Sequence, residues 1–203
     1  MMTLYDFMGS GNGYKVRLVL AHLGLPYTLV ECDIMKGETR TPEFLAKNPN
    51  GRIPTLELED GTFLFESGAI CWYLAEGTKF APANRLERAQ TLQWMFFEQY
   101  SHEPYIAVAR FWRHFFAKLT PQQDAALPDL MKKGYAALGV MESHLARNQF
   151  FVGGRYGLAD IALYAYTHCA GEGGFNLDNY PQVSAWLARV ASQPGHVTID
   201  HQH

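Results

Sequence analysis

Residues 48–70 contain the strongest structural signal of the chain, and they read NPNGRIPTLELEDGTFLFESGAI. Ile53 precedes a proline, which holds it in an extended conformation and out of the helical region. If the Ile53-Pro54 bond is cis, as a tight turn allows, the Ile53 backbone faces outward instead of into a sheet ladder. Residues 55–58 and 62–65 predict two strands, joined by an Asp-Gly pair that supplies the positive φ of a hairpin turn.

The hairpin leads directly into the start of a helix. Glu66 and Ser67 precede a glycine and the apolar run 69–74, so the sequence predicts a helix that begins near Ser67. Backbone N–H groups at a helix start have no intrahelical partner, and together with the helix dipole they attract a carboxylate. An extended backbone edge beside such a helix start predicts a site for a short peptide with a free carboxylate.

Four short motifs occur in order along this stretch: Asn48-Pro49, Ile53-Pro54, Asp60-Gly61 and Glu66-Ser67. At these spacings the chain resembles the cytosolic glutathione transferases, of the bacterial type with a serine or asparagine in the active site. The resemblance spans nearly the whole chain, although its specific motifs lie mainly before residue 75. It implies an α+β fold, in which a thioredoxin-like α/β domain that binds glutathione is followed by an all-α helical domain.

Composition excludes several classes of protein. The chain has 203 residues, a formal net charge of −3 and 48% hydrophobic content, which suits one or two compact domains. Its lysines and arginines are scattered, so no nucleic-acid partner is expected. No membrane partner is expected either, because no apolar run approaches membrane-spanning length and the N-terminus lacks a signal peptide. The three cysteines are dispersed and predict buried thiols in a reducing compartment, so we expect a cytoplasmic protein. They are Cys32, Cys71 and Cys169.

The chain changes character near residue 80. Before that point, strands and helices alternate in the order β-α-β-α-β-β-α, and beyond it the apolar periodicity is purely helical. We therefore predict a first domain over 1–76, a linker over 77–84 and a helical domain over 85–203. Pro104 is expected to kink the first long helix. Asp160 is placed to reach back to the first N–H groups of a later helix.

The glycine-rich turn 9–15, GSGNGYK, invites a nucleotide-binding interpretation. A phosphate loop from Gly9 needs glycine at position 14, and so does the dinucleotide fingerprint, but Tyr14 stands there. Both interpretations are excluded. In a thioredoxin-like fold this turn is the place for a Cys-x-x-Cys pair, whose positions hold Ser10 and Gly13. The protein therefore has no redox dithiol at this turn, and the reactive sulfur must come from the ligand.

The resemblance implies that Ser10 donates its hydroxyl to the glutathione sulfur. Lowering a thiol pKa from about 8.5 to about 6.5 requires about 2.7 kcal/mol. One hydrogen bond to a charged acceptor gives roughly 1.5–3 kcal/mol, and a partly buried helix terminus adds up to about 2 kcal/mol. The alternative is that Ser10 only caps the helix. A second alternative is Asn12, since some bacterial and fungal members use an asparagine here and favour disulfide exchange or peroxide reduction. Tyr5, within the first strand, is interpreted as core.

The other ligand-binding residues also follow from the resemblance. Glu66 and Ser67 are expected to hold the γ-glutamyl ammonium and carboxylate. The backbone at Ile53-Pro54 is expected to pair with the cysteinyl part. Arg52 suits the glycine carboxylate, because a guanidinium matches a carboxylate with two parallel bonds, although it also fits a solvated surface position. Asn50 and Lys15 are weaker candidates. Lys15 is expected to lie on an exposed face of the first helix.

The resemblance further implies an electrophile pocket on the first long helix, with Tyr105, Phe111 and Trp112 as candidates and an ordinary core stripe as the alternative. Glutathione is then the co-substrate, with no permanently bound cofactor. The second substrate is a small hydrophobic electrophile, a peroxide or a mixed disulfide. A homodimer is implied, with helix 85–117 at its interface. No metal site is expected, because three histidines lack partners at metal-ligand spacing. They are His102, His114 and His168.

Two classes of function stay open from the sequence. The first is a glutathione transferase, which activates the thiol for attack on its second substrate. The second is a non-catalytic protein that binds ligands or partners with the same fold, because a fold does not imply a function.

Overall fold

The computed structural model describes residues 1–201. The chain divides into two compact units. The first contains residues 1–78 together with the described residues from Pro194 onward, and the second contains residues 79–193. None of the helices within the described residues combines the length and apolar character that crossing a bilayer requires.

The first unit is built on a four-stranded mixed sheet in the order β2-β1-β3-β4. Strand β1 runs parallel to β2 and antiparallel to β3, which in turn pairs antiparallel with β4. Leu4 at the centre of β1 faces Leu29 on one side and Leu56 on the other, which fixes the register. The strands are β1 Met2–Asp6, β2 Tyr27–Glu31, β3 Thr55–Glu57 and β4 Phe63–Phe65.

Three helices complete the first unit: α1 Gly11–Leu23, α2 Pro42–Leu45 and α3 Ser67–Ala75. The element order is β-α-β-α-β-β-α, as the sequence predicts. Gly24 ends α1 in the left-handed conformation with φ 63°, and its N–H donates to the Ala21 carbonyl at 3.1 Å. The helices α1 and α3 contact each other, and their inward-facing apolar side chains form the core with the sheet.

The second unit is entirely helical apart from its connections. Its helices are α4 Arg85–Phe97, α5 Glu103–Phe115, α6 Pro121–Leu145, α7 Leu158–Thr167 and α8 Pro181–Ala191. A π-helical segment, Glu98–His102, joins α4 to α5. Pro104 lies in the first turn of α5, where its missing N–H costs least, directly after the π-helical segment. The kink expected there stays a prediction.

Asp160 connects three parts of the second unit, and its side chain is buried. Its Oδ2 accepts the N–H of Gly157 at 3.1 Å, which confirms the predicted reach back to the start of α7. Its Oδ1 accepts the N–H of Phe151 at 3.1 Å and the indole N–H of Trp186 at 2.9 Å. Burial raises the pKa of Asp160 to about 7, while these three donors act in the opposite direction.

The last described residues pack against α1 of the first unit. The Tyr14 hydroxyl donates to the Val197 carbonyl at 2.6 Å, and Arg17 Nη1 donates to the Ile199 carbonyl at 2.5 Å. The sequence placed this segment in a helical domain over 85–203, whereas the first unit contains it. The pairing joins residues about 180 positions apart, beyond the reach of local sequence patterns.

Candidate active site

Ser10 is the N-cap residue of α1. Its backbone is extended, with φ −78° and ψ 125°, and its Oγ accepts the N–H of Gly13 at 3.3 Å. Its own N–H donates to the Phe7 carbonyl at 2.7 Å, which closes the turn after β1. A hydroxyl can accept one hydrogen bond and donate another. Capping therefore leaves the Ser10 hydrogen able to point at a ligand, and both roles weighed from the sequence are compatible with the geometry.

The turn before Ser10 is held from both sides at Met8. The Met8 N–H donates to the Glu31 carboxylate at 3.0 Å, and its carbonyl accepts from Arg17 Nη2 at 2.8 Å. Arg17 is in turn paired with the buried Asp6, with Nε 3.0 Å from Oδ2. An ideal Cβ on Gly13 would lie 1.7 Å from Asp6 Oδ1, so this position of α1 admits only glycine. The contacts of Met8 and the Asp6–Arg17 pair were not predicted, because they join residues far apart in the sequence.

Asn12 lies in the first turn of α1 and links two further side chains. Its Oδ1 accepts from Lys15 Nζ at 2.8 Å and from the Ser67 hydroxyl at 3.5 Å. Ser67 is the first residue of α3 and is buried. The structure thus brings Asn12 and Ser67, which are 55 positions apart in the sequence, to one place at the starts of two helices.

Lys15 corrects an expectation from the sequence. We expected it on an exposed face of α1, but only 1% of it is exposed. Its ammonium donates to the Asn12 amide oxygen, a contact that offsets the cost of removing the charge from water. Helical periodicity alone assigns a lysine to solvent, because it does not show which neighbours cover that face.

Glu66, just before α3, has an unusual backbone. With φ 67° and ψ 111°, it is the only non-glycine residue of positive φ within the described chain. Such conformations cost about 1–3 kcal/mol and cluster at ligand-binding positions. Its carbonyl accepts the N–H of Ile70 at 3.0 Å, and its side chain is exposed. The bend directs the chain into α3 and leaves the Glu66 carboxylate at the surface beside Ser67.

The Ile53-Pro54 bond is cis, as considered from the sequence. The turn before it is organised by the buried Asn48, whose Nδ2 donates to the Arg52 carbonyl at 2.8 Å and to Thr55 Oγ1 at 3.1 Å. The Arg52 side chain is exposed. Asn50 lies within the same turn, and its N–H donates to Asn48 Oδ1 at 3.0 Å. Asn48 belongs to the Asn48-Pro49 motif of the sequence, and in the structure its side chain stabilises this turn.

Several titratable side chains near β1 are unsuited to activate a thiol. The Tyr5 hydroxyl donates to Glu57 Oε2 at 2.7 Å, and burial raises the pKa of Tyr5 to about 12. Tyr5 is half-buried, so its interpretation as core holds in part. Burial also raises the pKa of Cys32 to about 11, which keeps that thiol protonated at neutral pH.

The three candidate pocket residues lie on α5 of the second unit and are half-buried. Tyr105 and Trp112 are seven positions apart and lie on nearly the same helix face, whereas Phe111 is displaced from Trp112 by about 100°. The Phe111 ring contacts the rings of Phe115 and Phe116, each at 5.4 Å between centroids. Tyr105 and Trp112 therefore share a face, and Phe111 belongs to an aromatic cluster at the end of α5.

The histidines of the second unit have packing or surface positions. His102 is buried, with Nε2 2.9 Å from Thr167 Oγ1. His168 stacks on Tyr164 at 4.9 Å between ring centroids, and His114 lies 3.4 Å from the Glu172 carboxylate. Among the described residues, no group of three histidine, cysteine or acidic side chains is arranged to hold a metal ion.

Comparisons with known proteins agree with this architecture. Residues 1–76 match the family model "Glutathione S-transferase, N-terminal domain", and residues 93–194 match "Glutathione S-transferase, C-terminal domain". The crystal structure of a glutathione S-transferase from Pseudomonas fluorescens Pf-5 is 54% identical, with a TM-score of 0.95 and 98% of each chain covered.

Four further relatives extend the comparison. The disulfide-bond oxidoreductase YfcG of Escherichia coli K12 is 33% identical over 96% of this chain and 92% of its own length. The glutathione transferase URE2P6 of Phanerochaete chrysosporium, crystallised with oxidised glutathione, is 29% identical with a TM-score of 0.85, covering 96% of this chain and 92% of that one. Ure2 proteins of Candida albicans and Eremothecium gossypii also match, and the chain spans 67% and 65% of their lengths.

The fold and family that the sequence predicts are both confirmed. A thioredoxin-like unit with a cis-proline turn precedes an all-helical unit, and both family models match in that order. The chain belongs to the glutathione S-transferase family.

Proposed function

We propose that this protein is a glutathione transferase. It binds reduced glutathione on the first unit and stabilises the thiolate, whose sulfur then attacks a hydrophobic electrophile. The observation that carries the proposal is the junction of Asn12 with Ser67, which joins the two helix starts expected to hold the thiol and the carboxylate. Glutathione is a co-substrate in this proposal, and the chemistry needs no permanently bound cofactor.

The proposal pairs each polar group of glutathione with a group of the chain. The exposed Glu66 carboxylate suits the γ-glutamyl ammonium, and Ser67 with the start of α3 suits the adjacent carboxylate. The backbone of Ile53, before the cis-proline, offers hydrogen bonds to the cysteinyl part. The exposed Arg52 guanidinium suits the glycine carboxylate. Charged groups at both ends of a tripeptide fix its orientation and thereby the place of its sulfur.

The thiolate is stabilised at the start of α1, where Ser10 and the helix dipole act together. Each contributes an amount comparable with the roughly 2.7 kcal/mol that a two-unit fall in thiol pKa requires. In the conjugation step, the thiol proton leaves to solvent, the sulfur forms a bond to an electrophilic carbon, and the leaving group departs with its electron pair. Tyr105 and Trp112, on one face of α5, are the proposed contacts for that electrophile.

A second candidate activity is glutathione-dependent reduction of disulfides or peroxides. Two hydrogen bonds hold the Asn12 amide beside Ser67 at the start of α3. One relative, YfcG, is named a disulfide-bond oxidoreductase. In such an exchange the glutathione thiolate attacks one sulfur of a mixed disulfide, a new S–S bond forms, and the other sulfur leaves as a thiolate. This activity places the thiolate contact at Asn12 instead of Ser10.

A homodimer is proposed on the basis of an exposed apolar stripe on α4 and the π-helical segment that follows it. Leu86 is 68% exposed, Phe96 66% and Tyr100 84%, and their spacing places them along one side of the helix. Large apolar side chains exposed in a row favour burial against a partner, and a second copy of the chain is the proposed occupant. A cytoplasmic location is also proposed, since three buried cysteines suit a reducing compartment.

Binding to immobilised glutathione, followed by titration of the bound thiol through its thiolate absorbance, tests the proposal. We expect retention on the resin and a thiol pKa well below about 8.5. A panel of an aryl halide, an organic hydroperoxide and a glutathione mixed disulfide then separates the two activities. Failure to bind glutathione overturns both. Binding with an unshifted thiol pKa and no turnover of the panel indicates a non-catalytic binding protein.

A further inference from the structure

We propose that Lys15 is a positioning residue, which orients the Asn12 amide so that its donor end faces the glutathione sulfur. The inference rests on the proposed binding of glutathione and on the candidate in which Asn12 contacts the thiolate. It assigns to a buried lysine a role that it performs through Asn12. The three side chains involved are Asn12, Lys15 and Ser67.

The burial of Lys15 calls for a structural explanation. Lysine is among the residues least often fully buried, and a buried ammonium needs polar partners. Here the side chain runs along α1 from a position three residues after Asn12, a spacing at which helical side chains are neighbours. Its Nζ lies 2.8 Å from Asn12 Oδ1, a short contact for a charged donor. The ammonium is therefore placed on the amide oxygen and not in solvent.

This contact fixes which end of the Asn12 amide carries the oxygen and which the NH₂ group. A carboxamide has an oxygen that only accepts and an NH₂ group that only donates. The Asn12 oxygen receives both the Lys15 ammonium and the Ser67 hydroxyl, so a flipped amide would set its NH₂ group against the ammonium. Because the amide is planar, holding its oxygen between these two donors directs its NH₂ group away from them. A donor end fixed in this way is suited to a thiolate, which accepts hydrogen bonds.

Lys15 also carries a charge, and the charge could act on the ligand directly. The distances of 2.8 Å and 3.5 Å place Nζ within about 6 Å of Ser67 Oγ, near the proposed carboxylate position. The two roles differ in one respect. Positioning works only through Asn12, whereas a direct field acts whether Asn12 is present or not.

A double-mutant cycle separates these roles. The variants are Lys15→Met, Asn12→Ala and the double variant, and the readout is the thiol pKa of bound glutathione. Methionine is unbranched and nearly fills the space of the lysine stem, so it removes the donor with little change in packing. We expect Lys15→Met to raise the thiol pKa by about one unit and to add nothing in the Asn12→Ala background. Additive shifts, or no shift in Lys15→Met, overturn the inference.

Three controls make the result specific. Lys36→Met removes an exposed lysine and is expected to leave the thiol pKa unchanged. Lys15→Arg keeps a charged donor and is expected to restore part of the shift. Asn12→Asp keeps an acceptor for Lys15, and so tolerates the buried ammonium, but has no donor. We expect this variant to raise the thiol pKa, and a pKa equal to that of the unmodified protein overturns the inference even where Lys15→Met fails to fold.

The outcomes also distinguish this inference from the proposed function. If the unmodified protein does not bind glutathione, the proposed function itself fails. If it binds and acidifies glutathione but Asn12→Ala leaves the thiol pKa unchanged, the function stands through Ser10 and the role of Lys15 is overturned.

Discussion

Ser67 Oγ and Asn12 Oδ1 lie 3.5 Å apart, which joins the first residue of α3 to the first turn of α1. One side is proposed to hold the glutamyl carboxylate and the other lies beside the thiol. Because the two side chains share a hydrogen bond, we expect glutathione binding and thiol acidity to be coupled at this site. A substitution on either side is expected to change both the affinity for glutathione and the pKa of its thiol.

Replacing Ser10 by alanine and by glycine separates its two roles. Both changes remove the hydroxyl donor, so both are expected to raise the thiol pKa of bound glutathione by about one to two units. Alanine at an N-cap costs about 0.5–2 kcal/mol of stability, whereas glycine costs only a few tenths. We therefore expect only Ser10→Ala to lower the free energy of unfolding clearly, as measured in urea. If neither variant moves the thiol pKa, Ser10 is a cap and the thiolate contact belongs to Asn12.

Glu66 is expected to trade stability for binding. Glu66→Gln keeps the backbone but removes the charge, and should weaken glutathione binding about tenfold with an unchanged Tm, because a hydrogen bond to a charged group is worth roughly 1.5–3 kcal/mol. Glu66→Gly also relieves the positive φ, and should raise the free energy of unfolding by about 1 kcal/mol while binding is lost. Calorimetric titration and thermal unfolding measure the two effects. Glu59→Gln, at an exposed position, is the matched control. Unaltered affinity in both Glu66 variants would show that Glu66 does not bind the γ-glutamyl ammonium.

Stability is expected to fall as the pH rises from about 4 to about 7. Burial raises the pKa of Asp160 from 3.8 to about 7, so in this range the folded state holds a proton that the unfolded state has released. The stabilisation is complete below about pH 4 and is lost as the pH passes 7. Asp160→Asn should flatten this slope, and it should cost about 1–3 kcal/mol because an NH₂ group meets an N–H donor. Urea unfolding at several pH values measures both.

A residual slope is expected in Asp160→Asn, because burial also raises the pKa of Asp6 to about 7. The double variant with Asp6→Asn is the further comparison, and it tests whether the two carboxyl groups account for the pH dependence. A slope in Asp160→Asn equal to that of the unmodified protein would mean that Asp160 is ionised in the folded state throughout.

Phe96 provides a test of the proposed homodimer. It is 66% exposed in the apolar stripe of α4, and a charge there should be excluded from an interface. Phe96→Glu is expected to yield a folded monomer in sedimentation or light scattering, where the unmodified protein sediments as a dimer. Val140→Glu, at a residue of α6 that is 48% exposed, is expected to leave the dimer intact. If the unmodified protein is a monomer, or if the dimer survives Phe96→Glu, the apolar stripe of α4 is not a dimer interface.

Features with local causes could be predicted from the sequence. Gly24 ends α1 because a left-handed residue is needed there, and Asp160 caps α7 because its carboxylate reaches the N–H three residues before it. The hairpin around Asp60-Gly61 and the cis Ile53-Pro54 bond also lie within a few residues of their causes. Such patterns use short-range geometry, which one sequence contains.

Features with distant causes could not be predicted in this way. Lys15 looked like a solvent-facing residue, because helical periodicity does not show what covers its face, whereas it is buried in the folded chain. The Asp6–Arg17 pair joins a strand to the middle of a helix, and neither residue belongs to a recognisable motif. At the candidate site, the motifs predict which residues take part. The hydrogen bond between Asn12 and Ser67 could be found only in the folded chain, because the two residues are 55 positions apart.

The return of residues after Pro194 to α1 has a consequence for biosynthesis. Tyr14 and Arg17 receive their partners Val197 and Ile199 only after those later residues have left the ribosome. Domains generally fold as units in the order of translation. Here the unit that carries the proposed glutathione site contains residues from both sides of the second unit in the sequence, so its last contacts form only after the second unit has been synthesised. A ribosome that stops before residue 194 would release a chain whose Arg17 lacks its Ile199 contact and whose Tyr14 lacks its Val197 contact.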